Sequence, residues 1–359
     1  MKQTVVLVIT LLFLTGLKVS GQVPAGKFSV LAFGDLYYYA QSDSAFSSLG
    51  NTVTGGKTGE TGLTVRRIFL TYDTKISSRI EARFRIEAND KFTNGGLMTA
   101  FVKNIYVRYN IFREQYLQFG IIPTPAFEVS EESWSHRYLE KTILDLRKIV
   151  SPTDFGISIR GNIDTAGIVR YWIMIGENSG FKPEVDVYKR IYGQVEIHPV
   201  ENLSLSFYGG INQKKSGQNP YDTIKPNLSA TESTIAFFIG YRFHEKMNLG
   251  IESYLNLAKN SYNTGTSMAN RQGAGITIFG SYTVTNKIGL IVRYDYFNPN
   301  TDKNATGDIR NMIIGGLTCK IHQNFIISPN IVYESYEPTS TESEYQSSVT
   351  PRITFYYKF

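Results

Sequence analysis

The sequence predicts an all-β chain, a transmembrane antiparallel β-barrel of about 16 strands with a long loop after strand 5. Three observations predict it. Period-two segments of roughly 10–15 residues, the length a tilted bilayer crossing needs, recur along the chain. The connections between them tend to alternate short and long. The chain closes on V-T-P-R-I-T-F-Y-Y-K-F, a strand with one apolar and one polar face.

Taken in order, the first half predicts strands at 28–41, 61–74, 78–89, 98–110, 114–122, 153–161, 165–177 and 187–198. The second half predicts strands at 202–213, 231–244, 247–259, 271–284, 287–298, 307–321, 323–335 and 347–359. Several segments alternate cleanly. Ile80, Ala82, Phe84, Ile86 and Ala88 oppose Glu81, Arg83, Arg85 and Glu87. Ile235, Phe237, Ile239, Tyr241 and Phe243 oppose Ala236, Phe238, Gly240 and Arg242, and in the last strand Ile353, Phe355, Tyr357 and Phe359 oppose Arg352, Thr354, Tyr356 and Lys358. A wall with lipid on one side and water on the other requires this period of two. Pro329 lies inside the fifteenth segment and predicts a bulge or local break, because proline cannot donate to a ladder.

Connections give the orientation. Lys75 to Ser77, Glu245-Lys246 and Thr285-Asn286 are tight turns, whereas Ser42 to Glu60, Lys214 to Ala230, Asn260 to Asn270 and Glu337 to Gln346 are long. In outer-membrane barrels the turns are periplasmic and the loops face outside, and an even strand count puts both termini on the periplasmic side.

The N-terminus reads as an export signal: Lys2, an apolar core from Val5 to Leu14, then Val19-Ser20-Gly21 before Gln22. The expected division is therefore a cleaved signal peptide over 1–21 and a single barrel domain over 22–359. No later run is apolar enough for a transmembrane helix. The chain carries 24 Tyr, 22 Phe, 31 Gly and a single Cys319, so no internal disulfide framework is available. The net charge of +6 is dispersed along strands rather than gathered in a patch, which argues against nucleic acid as a partner.

A barrel of sixteen strands is too wide to fill itself with side chains, so function lies in what points inward. The alternation places Arg67, Arg83, Arg85, Arg108, Arg170, Arg242 and Arg293 on the lumen wall as pore-lining, anion-binding candidates, with Arg160, Arg190, Arg310, Arg352, Lys320 and Lys358 on the same face. Inward acids are Asp35, Glu81, Glu87, Glu196, Glu252, Asp295 and Glu334. Guanidinium groups on a confined wall bias passage toward anions. Alternatively the arginines pair with neighbouring carboxylates and stiffen the wall.

The longest connection, from Pro123 to Pro152, has helical spacing of Trp134, Tyr138, Ile143 and Leu146 among charges. It either folds into the lumen, with Trp134, Arg137, Glu140, Lys141 and Arg147 as constriction residues, or caps the mouth.

G-L-T-V-R-R-I-F-L-T-Y-D-T-K-I with R-I-E-A-R-F-R-I-E-A, N-I-Y-V-R-Y at 104–109, Y-L-Q-F-G-I-I-P-T-P at 116–125 and Y-W-I-M-I-G-E-N-S-G at 171–180 resemble strands of the phosphate-selective porin O and P family. The resemblance implies a sixteen-stranded outer-membrane porin, a homotrimer, with its third loop at the constriction and small anions as solutes. The terminal Phe359 resembles the signal read by the barrel-assembly machinery. The third loop here is rich in Glu and poor in Lys, a departure from a phosphate-specific pattern.

The expected function is passive diffusion of small hydrophilic solutes across the outer membrane of a Gram-negative bacterium, with a mild preference for anions, phosphate among the candidates. The alternative is a non-channel barrel that binds partners through its long loops. No cofactor or metal is called for: no His/Cys/carboxylate spacing suits a transition metal. An enzyme is not expected, since His198, His244 and His322 fall at periplasmic strand ends, and His136 beside Ser135 is a poor triad pattern.

Overall fold

A computed structural model of the chain describes residues 26–43, 56–94, 97–112, 114–180, 182, 187–218, 220–221, 227–244, 246–302, 309–337 and 345–359. The expected signal peptide, 1–21, lies outside them.

Sixteen strands form one closed antiparallel barrel. They are β1 (Gly26–Tyr38), β2 (Thr61–Lys75), β3 (Ile80–Asn94), β4 (Leu97–Phe112), β5 (Gln115–Pro123), β6 (Thr153–Asn162), β7 (Val169–Gly176) and β8 (Arg190–Val200), followed by β9 (Leu203–Gln218), β10 (Asn227–Phe243), β11 (Met247–Asn263), β12 (Met268–Thr283), β13 (Ile288–Asn298), β14 (Arg310–His322), β15 (Phe325–Tyr336) and β16 (Ser348–Lys358). Two short helices, α1 (Glu128–Trp134) and α2 (Ile143–Leu146), interrupt the β5–β6 connection. Each strand pairs with its sequence neighbour, and β1 closes on β16 from Leu31↔Lys358 to Tyr37↔Arg352. Closure removes every free strand edge, which a lipid-facing sheet requires.

The period of two separates the faces as the alternation requires. Ile235 is 60% exposed, Val292 58% and Ile211 55%, while the intervening Thr234, Arg293 and Asn212 are buried. The outer surface is therefore apolar all round, and the polar side chains turn inward. The lengths also follow the membrane logic. The turns at 76–79, 201–202, 284–287 and 323–324 lie at one end with the 163–168 connection, and the connection that carries both helices lies at the other.

Two details depart from simple alternation. The β3–β4, β9–β10 and β11–β12 hairpins run further at the loop end than the sequence predicts, so much of 214–230 and 260–270 is strand. Those residues are polar on both faces and carry no period, yet the ladder continues through them. At Pro329 the strand does not bulge. The β14–β15 pairing lapses between Gly316↔Asn330 and Cys319↔Ile327 and resumes in the same register.

The interior is filled largely by the 124–152 segment. Trp134, Tyr138 and Leu139 cluster with Phe33, Phe238, Phe279 and Ile291. Leu146 packs against Met312, Ile314 and Val332 on β14 and β15. Glycine makes room for this segment at two wall positions. A Cβ at Gly275 would stand 3.0 Å from Ile143 Cδ1, and one at Gly240 would stand 2.7 Å from Ser133 Oγ. Of the two placements open to the loop, the lumen is the one observed.

Candidate functional site: the gap between the loop and the β2–β4 wall

The loop is fastened to the wall at β2, β6, β11, β13, β15 and β16. Arg293 donates from Nη1 to the Lys141 carbonyl at 2.6 Å and holds Asp295 through Nε and Nη2 at 2.8 and 2.6 Å. Arg352 donates to the Leu139 carbonyl at 3.2 Å. Arg66 reaches the same carbonyl at 3.1 Å, donates to that of Tyr138, and pairs with Asp35 at 2.5 Å. Arg147 pairs with Glu334 on β15 at 2.8 Å, with both side chains fully enclosed. Asn248 of β11 donates to the Ser133 carbonyl, and Arg160 of β6 forks onto Glu128. Carbonyls outside regular helix need donors in a water-poor interior, and these wall side chains supply them.

Charged side chains of the loop also come up against those of β2, β3 and β4. From the wall come Arg67, paired with Glu87 at 3.0 Å, and Lys103, paired with the same carboxylate at 3.2 Å. Arg85 donates to Thr71 Oγ1 at 2.8 Å and lies 5.2 Å from the Phe69 ring centroid; no carboxylate among the described residues pairs with it. From the loop come Arg137, bonded to Glu131 at 2.6 Å and Asp145 at 2.7 Å, and Lys141, bonded to Asp145 at 2.8 Å. Arg67, Lys103 and Arg85 all lie close enough to Arg137 to feel its charge. The gap thus gathers five cationic side chains, Arg67, Arg85, Lys103, Arg137 and Lys141, against three carboxylates, Glu87, Glu131 and Asp145.

In the loop, burial alone would push the Asp145 carboxyl up, but Lys141, Arg137 and Arg67 together hold it well below its ordinary range. The network therefore stays ionised. Burial lowers the His136 imidazole, which places its Nδ1 2.6 Å from the Trp134 carbonyl. Only a protonated Nδ1 can make that bond, and the same nitrogen lies 3.1 Å from Ser135 Oγ. The nitrogen beside the hydroxyl is a donor, so it is not a base toward that serine.

Toward the turn end the wall continues in paired groups. Arg83 forks onto Asp73 at 2.6 and 3.0 Å, and Arg108 reaches Glu81 at 3.4 Å while stacking 4.2 Å from the Tyr116 centroid. Asp73, Glu81, Arg83 and Arg108 line a cavity of about 340 Å³ with Lys27, Lys75 and Tyr106.

The structure redistributes the residues that alternation nominates. Arg67, Arg83, Arg85 and Arg108 stand together on the β2–β4 wall, and Arg137 and Lys141 face them. Arg293 does not face the gap: it is buried beneath the loop because it serves the Lys141 carbonyl. Arg147 and Trp134 are not constriction groups either. One is enclosed with Glu334, and the other packs on Phe279 and donates Nε1–H to the Glu140 carbonyl. Glu140 lies 3.9 Å from Arg66. Arg170 and Arg242 point inward but sit at the turn end, Arg170 being 3.6 Å from Glu196 and Arg242 exposed beside the 244–246 turn.

Two residues escape the alternation altogether. The β1–β2 register shifts between Phe33 and Asp35, so Arg66 and Arg67 both turn inward. The β3–β4 register shifts between Arg85 and Ile86, which inserts Lys103 beside Asn104 on the lumen face. A bulge puts two consecutive residues on one side. The signal available in the sequence is two adjacent strongly polar residues, Arg66-Arg67 and Lys103-Asn104, in otherwise alternating strands.

No family model matches the sequence, and no curated protein matches it. Solved structures do. The anion-selective porin from Comamonas acidovorans superposes with a TM-score of 0.66 at 10% identity, covering 94% of this chain and 100% of that one. The outer membrane channel DcaP of Acinetobacter baumannii gives 0.64 at 14% identity over 96% and 100%. Outer-membrane expressed OmpT of Vibrio cholerae gives 0.62 at 13% over 95% and 99%. At these identities the likeness establishes the fold, a sixteen-stranded barrel of the outer-membrane porin and channel type.

Proposed function

We propose that this chain is an outer-membrane channel for passive diffusion of small hydrophilic solutes, with a mild preference for anions set at the gap between the loop and β2–β4. The observation that supports the reading is the charge cluster there, where five cations meet three carboxylates inside a closed barrel with an apolar exterior. A surplus of fixed positive charge in a narrow aqueous passage raises local anion concentration and repels cations.

The preference is mild because most guanidiniums already hold a carboxylate. Arg67, Arg83, Arg108 and Arg137 each have one, and Arg85 alone of the wall set offers an uncommitted fork. A phosphate-specific site requires several convergent uncommitted donors, so we assign general anion bias rather than phosphate specificity. We further propose removal of 1–21 on export, insertion through the C-terminal strand ending at Phe359, turns on the periplasmic side, and a homotrimeric assembly. The donor tautomer of His136 supports a non-enzymatic reading.

Planar-bilayer reversal potential under a salt gradient tests the proposal. Stepwise conductance with an anion-biased potential is the expected result. Cation bias would overturn the charge argument, and no conductance from a folded, heat-modifiable barrel would transfer the function to loop-mediated binding.

A further inference from the structure

The turn end of the barrel is electrically lopsided. Along the arc from β10 through β14 and β16 to β1, the described rim residues include Arg242, Lys246, Lys287, Lys320, Lys358 and Lys27, all exposed. His244 and His322 lie on the same arc. Among the described residues none of the six cations forms an ion pair, and Lys27 alone of them shares a cavity with carboxylates, those of Asp73 and Glu81. The opposite arc is mixed, with Glu114, Asp164, Glu196 and Glu201 near Arg170 and His198.

Register fixes which way four of the six point. Lys27 lies opposite Asp73, which binds Arg83 in the lumen, and Arg242 lies opposite Asn248, which bonds the loop. Lys320 lies opposite Ile326 and Lys358 opposite Leu31, and both of these pack on the interior cluster of Phe33 and Trp134. These cations therefore face the mouth. The neighbouring outward residues Phe243, Tyr282, Tyr357 and Phe359 are exposed aromatics, the girdle that marks the lipid boundary. Lipid headgroups lie outside that girdle and the four cations lie inside it, so headgroups do not reach them. Only Lys246 and Lys287, in the turns, remain accessible from both sides.

We propose that this arc docks an acidic polypeptide segment from the periplasm against the channel mouth. The arc spans β10 to β1, seven strand gaps of about 4.8 Å each, so roughly 30–35 Å of rim. A small anion touches one or two of these cations at a time. An extended acidic segment of about ten residues matches the whole row, and complementary charge of that extent steers association. The proposal takes its compartment from the outer-membrane reading, but its binding test does not depend on ion conduction.

The experiment measures fluorescence anisotropy of a labelled poly-glutamate peptide of about fifteen residues on the detergent-solubilised full chain, with poly-lysine as control. The wild type is compared with Lys246→Gln/Lys287→Gln, confined to turns, and with that pair combined with Lys320→Gln and Lys358→Gln. Heat-modifiability confirms that each variant is folded. The expected result is salt-sensitive binding of poly-glutamate and not poly-lysine, weakened about tenfold in the fourfold variant and less in the turn pair. Added to a bilayer-held channel, the peptide is expected to act from the turn side only. Equal affinity of all variants overturns the proposal. So does competition by inorganic phosphate at equal charge, which would mark a small-anion site, or a loss that appears only on vesicles containing anionic phospholipid, which would mark lipid contact.

Discussion

The two halves of the lumen wall carry the same residue type and use it differently. On the side formed by β11 to β16, Arg293 and Arg352 donate into loop carbonyls, and Glu334 encloses Arg147 of the loop. On the β2–β4 side Arg66 reaches the loop carbonyls, while Arg67, Arg83, Arg85 and Arg108 lie along the wall, stacked on aromatic rings and paired sideways within the sheet. An arginine under the loop is a structural donor; an arginine facing the gap is a charge that a passing ion feels. The difference arises from where the loop lands, and not from the arginines themselves.

The largest expected effect attacks the fastening. Glu334→Gln leaves Arg147 enclosed without its carboxylate, which should cost loop docking about 3–5 kcal/mol. Single-channel conductance should rise and become noisy, and loop proteolysis should accelerate. Replacing both partners, Arg147→Met with Glu334→Leu, should restore much of the quiet state, since an apolar pair of similar volume replaces an ion pair at little cost. Next in size, Arg293→Met removes the donor to the Lys141 carbonyl and uncovers Asp295. About 1.5–3 kcal/mol of docking should be lost, read as more frequent transitions to a larger conductance.

A smaller effect belongs to the other wall. Arg85→Gln removes the gap's one guanidinium without a carboxylate partner among the described residues, so the reversal potential should move toward zero while conductance changes little. Arg242→Gln, at the exposed rim, should leave the reversal potential nearly unmoved at about 0.15 M salt, where screening over about 8 Å isolates it from the gap. If Arg242→Gln moved the potential as far as Arg85→Gln, the distinction between gap and rim would fail.

The fold and the gap were not equally legible in the sequence. Alternation in 80–88 and 235–243 and the amphipathic last strand place their side chains correctly because one face meets lipid and tolerates no slip of register. The lumen is less constrained. The bulges that bring Arg66 and Lys103 inward are single-residue insertions that a strict period of two reads as outward positions. The roles of Arg293 and Arg147 depend on contacts across 152 and 187 residues of chain, which no local pattern carries. Trp134, chosen for its loop position, is instead the apolar body that seats the loop against Phe279.

The smallest effect is in pH. Burial holds His136 below its ordinary value of 6.5. A neutral imidazole is thus favoured in the docked loop. Its contribution to docking is complete above pH 6.5 and declines as pH falls below that value, because the released loop then binds the extra proton. Asp145 acts further down. Its carboxyl is held below its ordinary 3.8, so its contribution is present above that value and is lost only as more acidic solutions protonate it. Acidification from pH 7 to 5 should loosen the loop slightly in the wild type, and less so in His136→Gln, while the Asp145 network stays closed.

Thiol modification under voltage tests the division of the lumen most directly. In a Cys319→Ser background, a charged methanethiosulfonate reagent should reduce current quickly through Arg85→Cys, which faces the gap. It should leave current through Met312→Cys unchanged, because Met312 lies buried beneath Leu146 of the loop. Rapid block at position 312 with none at position 85 would place the passage on the other wall and contradict the account.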